Sequence, residues 1–75
     1  MERVIELISQ VGGIEEVPPD ARIYDAGFSS VRVLDLLLTL EEEFGVRIPD
    51  EDFLAAATPR RIAELIERLR QRQEA

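Results

Sequence analysis

Neither cysteine nor histidine occurs in this chain of 75 residues. The first absence removes disulfide frameworks and thiolate metal sites, and it fits a reducing compartment. The second removes the imidazole base that ordinarily activates a hydroxyl, so a serine here is a poor attacking group and a better acceptor of a modification. No apolar run approaches the ~20 residues needed to cross a bilayer. Met1-Glu2-Arg3 lacks the basic start and apolar block of a signal peptide, so the expected address is the cytoplasm. Basic residues are few as well. Nine arginines stand against sixteen acids, a net charge of −7. That charge repels phosphate backbones and anionic lipid, which argues against nucleic acid and membranes as partners.

The imbalance is local. Residues 1–57 hold thirteen acids and four arginines, a net −9, whereas residues 58–75 hold three acids and five arginines, a net +2. Basic partner surfaces are therefore expected to meet the first three quarters of the chain. At this length the chain reads as one domain, residues 1–75, near the lower limit for a core without disulfides or metal. Per-residue scaling gives it about 4–10 kcal/mol of stability. A monomer is expected.

Apolar spacing predicts an all-α fold, a four-helix bundle with a long first loop and a short third helix. Val4, Leu7, Ile8 and Val11 mark a first helix that Gly12-Gly13 end. The connection 14–29 carries Ile14, Val17, Ile23, Tyr24 and Phe28, too apolar for a free linker, and is expected to pack across the helices. A second helix over about 30–44 places Val33, Leu36, Leu37, Leu40 and Phe44 on one face, and Gly45 suits the position beyond its C-terminus. Pro49 suits the first turn of a third helix over about 49–56, with Asp50, Glu51 and Asp52 near its positive end. Thr58-Pro59 reads as N-cap and first residue of a fourth helix whose Ile62, Leu65, Ile66 and Leu69 face inward. The core is expected over about 3–70, with residues 71–75 fraying. Phe44, Leu37 and Ile62 are expected to be buried.

The chemistry-bearing stretch is Asp25-Ala26-Gly27-Phe28-Ser29-Ser30-Val31. It sets two hydroxyls at the mouth of a strongly apolar helix, where a serine is ordinarily an N-cap. Its Asp-x-Gly-x-x-Ser spacing is followed by Leu34-Asp35-Leu36-Leu37, a Glu-rich helix end, Gly45 and Ile48-Pro49-Asp50. In this order the segments resemble the acyl carrier protein family, over roughly residues 3–70. The resemblance implies that Ser30 carries a phosphopantetheine arm, placed by a separate phosphopantetheinyl transferase that uses coenzyme A and Mg²⁺, and that the arm's thiol holds an acyl or aminoacyl cargo as a thioester. It also implies that Asp25, Gly27 and Ser29 flank the attachment point. Ser29 is the alternative N-cap, Gly27 relieves a positive φ or turns the chain so that Ser30 is exposed while Phe28 folds in, and Asp25 is either a turn residue or a contact for the transfer enzyme.

A second apolar row, Val31, Leu34 and Leu38, runs from the serine toward Glu41 and Glu42. Such a wide stripe is core in most bundles. The other reading is a docking strip, whose apolar knobs enter a partner while Asp35, Glu41 and Glu42 meet its basic residues. Many fatty-acid carriers have Asp-Ser-Leu at the attachment point; here it is Ser29-Ser30-Val31, and Arg32 stands where an acidic or polar residue is common. These departures imply a specialised free-standing carrier, in secondary metabolism or for an activated amino acid, served by loading and transfer enzymes with basic docking surfaces.

Other constellations carry less. Asp50-Glu51-Asp52 lacks the spacing and central glycine of an EF-hand loop. Glu41-Glu42-Glu43 reads as a solvated rim rather than as acid–base machinery, because adjacent helix residues point in different directions. Nucleophile elbows, phosphate loops and metal clusters are missing. Two functions from different classes follow. One is a non-enzymatic covalent carrier; the other is an unmodified acidic helical adaptor that binds through its second helix.

Overall fold

The computed structural model describes residues 2–25 and 27–74, with the backbone alone for Glu74. Four helices follow in chain order: α1 (Glu2–Gly12), α2 (Ser30–Phe44), α3 (Asp50–Ala56) and α4 (Pro59–Glu74). α1 packs on α2 and α4, and α3 packs on α4.

Local chemistry sets the helix ends. Ser29 is the N-cap of α2, its Oγ accepting from the Arg32 amide at 3.3 Å. Gly45 closes the same helix in the left-handed region at φ 64, its amide donating to the Glu41 carbonyl. The next amide, Val46, reaches that carbonyl at 3.2 Å, so a carbonyl left open by the helix end is filled. α1 ends similarly: Gly13 has φ 65 and the Ile14 amide returns to the Ser9 carbonyl at 3.1 Å. Thr58 caps α4 through Oγ1, which accepts from the Arg61 amide at 3.2 Å. Pro49 behaves differently from expectation. Its ψ of 134 is extended, so it is the cap residue before α3 rather than part of the first turn, and Asp50 starts the helix.

The core collects Leu7 and Ile8 from α1, Leu36 and Leu40 from α2, Phe53 from α3 and Ile62 and Ile66 from α4, each at most 4% exposed. Leu37 and Ile62 are buried as expected. Phe44 is only half-buried and packs against the edge of the core. It is the last residue of α2, so part of its ring stays open at the helix end.

The first connection is strapped down, with Val17, Ile23 and Phe28 buried within it. The Ile23 amide donates to the Ala57 carbonyl at 2.9 Å, and the Arg60 amide to the Pro19 carbonyl at 2.9 Å. The Arg60 guanidinium forks onto Asp20, with Nε to Oδ1 at 2.7 Å and Nη2 to Oδ2 at 3.3 Å. That fork holds the Asp20 carboxyl below its ordinary range and raises Arg60.

α4 continues to Glu74, through residues 71–74 of the tail where fraying was expected; Ala75 lies outside the described residues. The reason is tertiary. The Gln73 side-chain amide brackets Arg47, with Nε2 donating to its carbonyl at 3.0 Å and Oε1 accepting from its amide at 3.0 Å.

Candidate functional site

Two neighbouring hydroxyls at the start of α2 divide the work. Ser29 is occupied as the cap. Ser30, the first residue of the helix, is exposed, and no hydrogen bond to its hydroxyl occurs among the described residues. The α2 first turn contains no acid, so the positive end of the helix dipole at Ser30 is not cancelled locally. A phosphodiester on Ser30 Oγ would place its negative charge beside first-turn amides, the setting that favours such an anion. The residues present therefore fit the group.

What holds Ser30 in place comes from α1. Phe28 is buried, 6% exposed, and a methyl group on Gly12 would lie only 2.6 Å from its ring carbons. The chain then leaves Phe28 for Ser29 and Ser30. On the other side, Arg32 Nη1 donates to the Val11 carbonyl at 2.6 Å, filling one of the open carbonyls at the end of α1. Arg32, read in the sequence as a change in the charge beside the arm, thus ties α2 to α1. Gly27, at φ +99, takes a backbone conformation that side chains rarely adopt, so both readings of this glycine meet at one turn. Asp25 is exposed in that turn, its amide donating to the Arg22 carbonyl at 3.0 Å.

Beside Ser30 lies a groove of about 220 Å³ between α2 and α3. Val33, Leu37 and Phe53 form its floor, and Tyr24, Leu34, Leu54 and Asp50 complete its lining. The apolar row on α2 is outside the core: Val31 is 71% exposed, Leu34 56% and Leu38 53%. The core reading of this row is therefore overturned. Leu54, 52% exposed, and Tyr24, 39% exposed, extend the same apolar surface onto α3 and the first connection. Leu54 was legible in principle, because Phe53 and Ala56 set the inward face of α3 and leave Leu54 pointing away from it.

The acids separate. Asp35 and Glu42 are exposed. Glu41 is half-buried, and its Oε2 accepts from the Ile48 amide at 2.9 Å. That carboxylate serves the loop after α2 rather than an open rim. Glu43 pairs with Arg3, which also reaches Glu6 at 3.1 Å and is raised by the two carboxylates. No metal-holding group of acids occurs among the described residues.

Comparison with known proteins follows the same lines. The family model described as "Phosphopantetheine attachment site" matches residues 2–66. An acyl carrier protein of Solidesulfovibrio magneticus is 44% identical over 54 residues, which are 68% of this chain and 69% of that protein. The chloroplastic acyl carrier protein of Brassica napus is 31% identical over 74 residues, 95% of this chain but 55% of that protein, so this chain spans little more than half of its length. In fold, the chain is similar to the solution structure of a non-covalent extended docking domain complex of the Pax NRPS, PaxA T1-CDD/PaxB NDD. The TM-score is 0.88 over 99% of this chain and 71% of that one, at 20% identity. The chain belongs to the phosphopantetheine-attachment family that includes the acyl carrier proteins, whose members bear a covalently attached phosphopantetheine and carry rather than catalyse.

Proposed function

We propose that Ser30 Oγ is the point at which this carrier bears phosphopantetheine, and that the loaded arm is presented to partner enzymes of a specialised biosynthetic pathway. The observation that carries the reading is the division between Ser29, used as the cap, and Ser30, exposed with its hydroxyl unengaged. When attached, the arm supplies a thiol on a flexible tether, which holds an acyl or aminoacyl cargo as a thioester in a chain that has no thiol of its own. The protein's own residues orient that tether: Gly27 and Phe28 turn the chain outward at Ser30, and Arg32 fixes the start of α2.

Partners are proposed to dock on Val31, Leu34 and Leu38, with Tyr24 and Leu54 beside them and Asp35 and Glu42 as the open acids. An apolar strip ringed by acid suits transient visits, since electrostatic steering raises association rates without tight binding. The Pax NRPS neighbour is itself described as a docking complex, which fits a carrier that works through partners. A phosphopantetheinyl transferase and enzymes that load or discharge cargo are the implied visitors, in the cytoplasm.

The test is the intact mass of the chain after incubation with coenzyme A, Mg²⁺ and a promiscuous phosphopantetheinyl transferase. A gain of one phosphopantetheine is expected. An unchanged mass, with the transferase active on a control carrier, would favour the unmodified adaptor instead.

A further inference from the structure

The basic end of the chain has its own surface. α3 and α4 enclose a groove of about 470 Å³ whose lining includes Arg61, Arg68 and Arg72. These arginines recur at i, i+7 and i+11 and so lie along one side of α4. All three are exposed, and no ion pair engages any of them among the described residues. An ordinary solvated helix face pairs such cations with acids three or four residues away. Here Glu64 has that spacing to both Arg61 and Arg68, yet neither pair is closed. Arg60, one position away, does close its pair, with Asp20.

Two further observations concern the last turns of α4. The family match ends at residue 66, so Arg68 and Arg72 lie beyond the part it covers. The same turns are held in register by the two hydrogen bonds from Gln73 to Arg47. The arginine row is therefore presented on an ordered helix end.

We propose that this α3–α4 groove is a second interaction surface, and that it takes an acidic, amphipathic peptide segment of a partner protein. Length decides between a peptide and a small anion: Arg61 and Arg72 stand roughly 16 Å apart along the helix, too far for one phosphate or carboxylate to bridge. Leu65 and Leu69 are buried beneath the groove and Ala55 is exposed in it, a small apolar surface on which short apolar side chains can lie between the partner's carboxylates. Guanidinium groups suit carboxylates because the planar fork accepts both oxygens. Asp52 and Glu64 also line the groove and would oppose the unbroken phosphates of a nucleic acid. A broad anionic membrane would meet the net −9 of residues 1–57 as well. A segment with spaced acids can place them at the arginines and spare both.

The proposal is independent of Ser30 and is tested on the full, unmodified chain. The probe is a fluorescein-labelled peptide of about 12 residues, long enough as a helix to span the three arginines, with Glu at every third or fourth position and Leu or Ala between. Anisotropy should show saturable binding that weakens with salt. Arg68→Gln with Arg72→Gln should weaken it by about tenfold, while Arg22→Gln, which removes an exposed charge elsewhere, leaves it unchanged. Amide shifts should concentrate on residues 55–56 and 61–72. Circular dichroism verifies that the variants keep their helices. The proposal is overturned by absence of binding, by equal binding of the Gln- or Lys-substituted peptide, by shifts confined to α2, or by indifference to the double substitution. Preferential binding of anionic vesicles or of an oligonucleotide at the same arginines would overturn it as well.

Discussion

Phe28 lies against Gly12 so closely that any side chain at Gly12 must displace its ring, a methyl group there falling only 2.6 Å from two ring carbons. This contact joins the end of α1 to the residue from which the chain enters Ser29 and Ser30. Gly12→Ala gains helix propensity of up to about 1 kcal/mol but overpacks a closed site at a cost of about 1–3 kcal/mol. The variant should melt several degrees below the parent, on the scale of about 4–8 °C per kcal/mol for a domain this small. Phe28→Leu in the Gly12→Ala background makes room and should return part of that loss. A Gly12→Ala protein that melts at or above the parent would show that Phe28 moves aside freely.

The exposed row on α2 predicts a separation of binding from stability. Leu34→Ala should leave the melting temperature nearly unchanged, because Leu34 is more than half exposed. The same variant should slow loading or discharge by a cognate enzyme. Leu36→Ala, at a fully buried position, should cost about 2–5 kcal/mol. Thermal melts beside loading kinetics on modified protein decide it; a large fall in melting temperature for Leu34→Ala would return the row to the core.

Salt and charge probe the same face. Glu42→Lys should lower the association rate with a basic partner, and added salt should shrink the difference from the parent. Glu41→Lys is the less informative substitution, because it also removes the acceptor of the Ile48 amide. Equal association rates for Glu42→Lys and the parent at low salt would place docking elsewhere.

The Asp20–Arg60 fork predicts a pH dependence at the acid end. Its hydrogen bonds hold the folded Asp20 below the ordinary carboxylate value of 3.8. A carboxyl depressed on folding contributes stability that is fully present above its unfolded pKa and is lost as pH falls through the folded one. The loss therefore falls below about pH 4, from the ordinary carboxylate value downward. A carboxyl-detected NMR titration should find Asp20 low in the parent and ordinary in Arg60→Gln. An unchanged Asp20 in that variant would refute the coupling.

Much of this architecture was legible because it is written in short-range chemistry. Ser29 and Gly45 bound α2, Thr58-Pro59 opens α4, and periodic Val, Ile and Leu residues give the inward faces. What periodicity could not give is how deeply each residue of an inward face is buried. Phe44 shares a face with Leu40, yet Leu40 is fully buried while Phe44, at the end of α2, is half-buried against the edge of the core. Long-range partners were equally hidden: nothing local links Arg32 to Val11, Glu41 to Ile48 or Gln73 to Arg47, and these three contacts fix the ends of the helices. The motif drew attention to Ser30, which lies at the mouth of α2, but the division by which Ser29 takes the cap and leaves the Ser30 hydroxyl unengaged is displayed only by the geometry.

The division between those two serines is the centre of the proposal, and localisation of the modification tests it most directly. Ser30→Ala and Ser29→Ala are each incubated with coenzyme A and the transferase, and the modified peptide is sequenced by tandem mass spectrometry. Ser29→Ala should lose about 1 kcal/mol with its cap and still gain phosphopantetheine at Ser30; Ser30→Ala should gain nothing. Modification that survives in Ser30→Ala and disappears in Ser29→Ala would contradict the assignment.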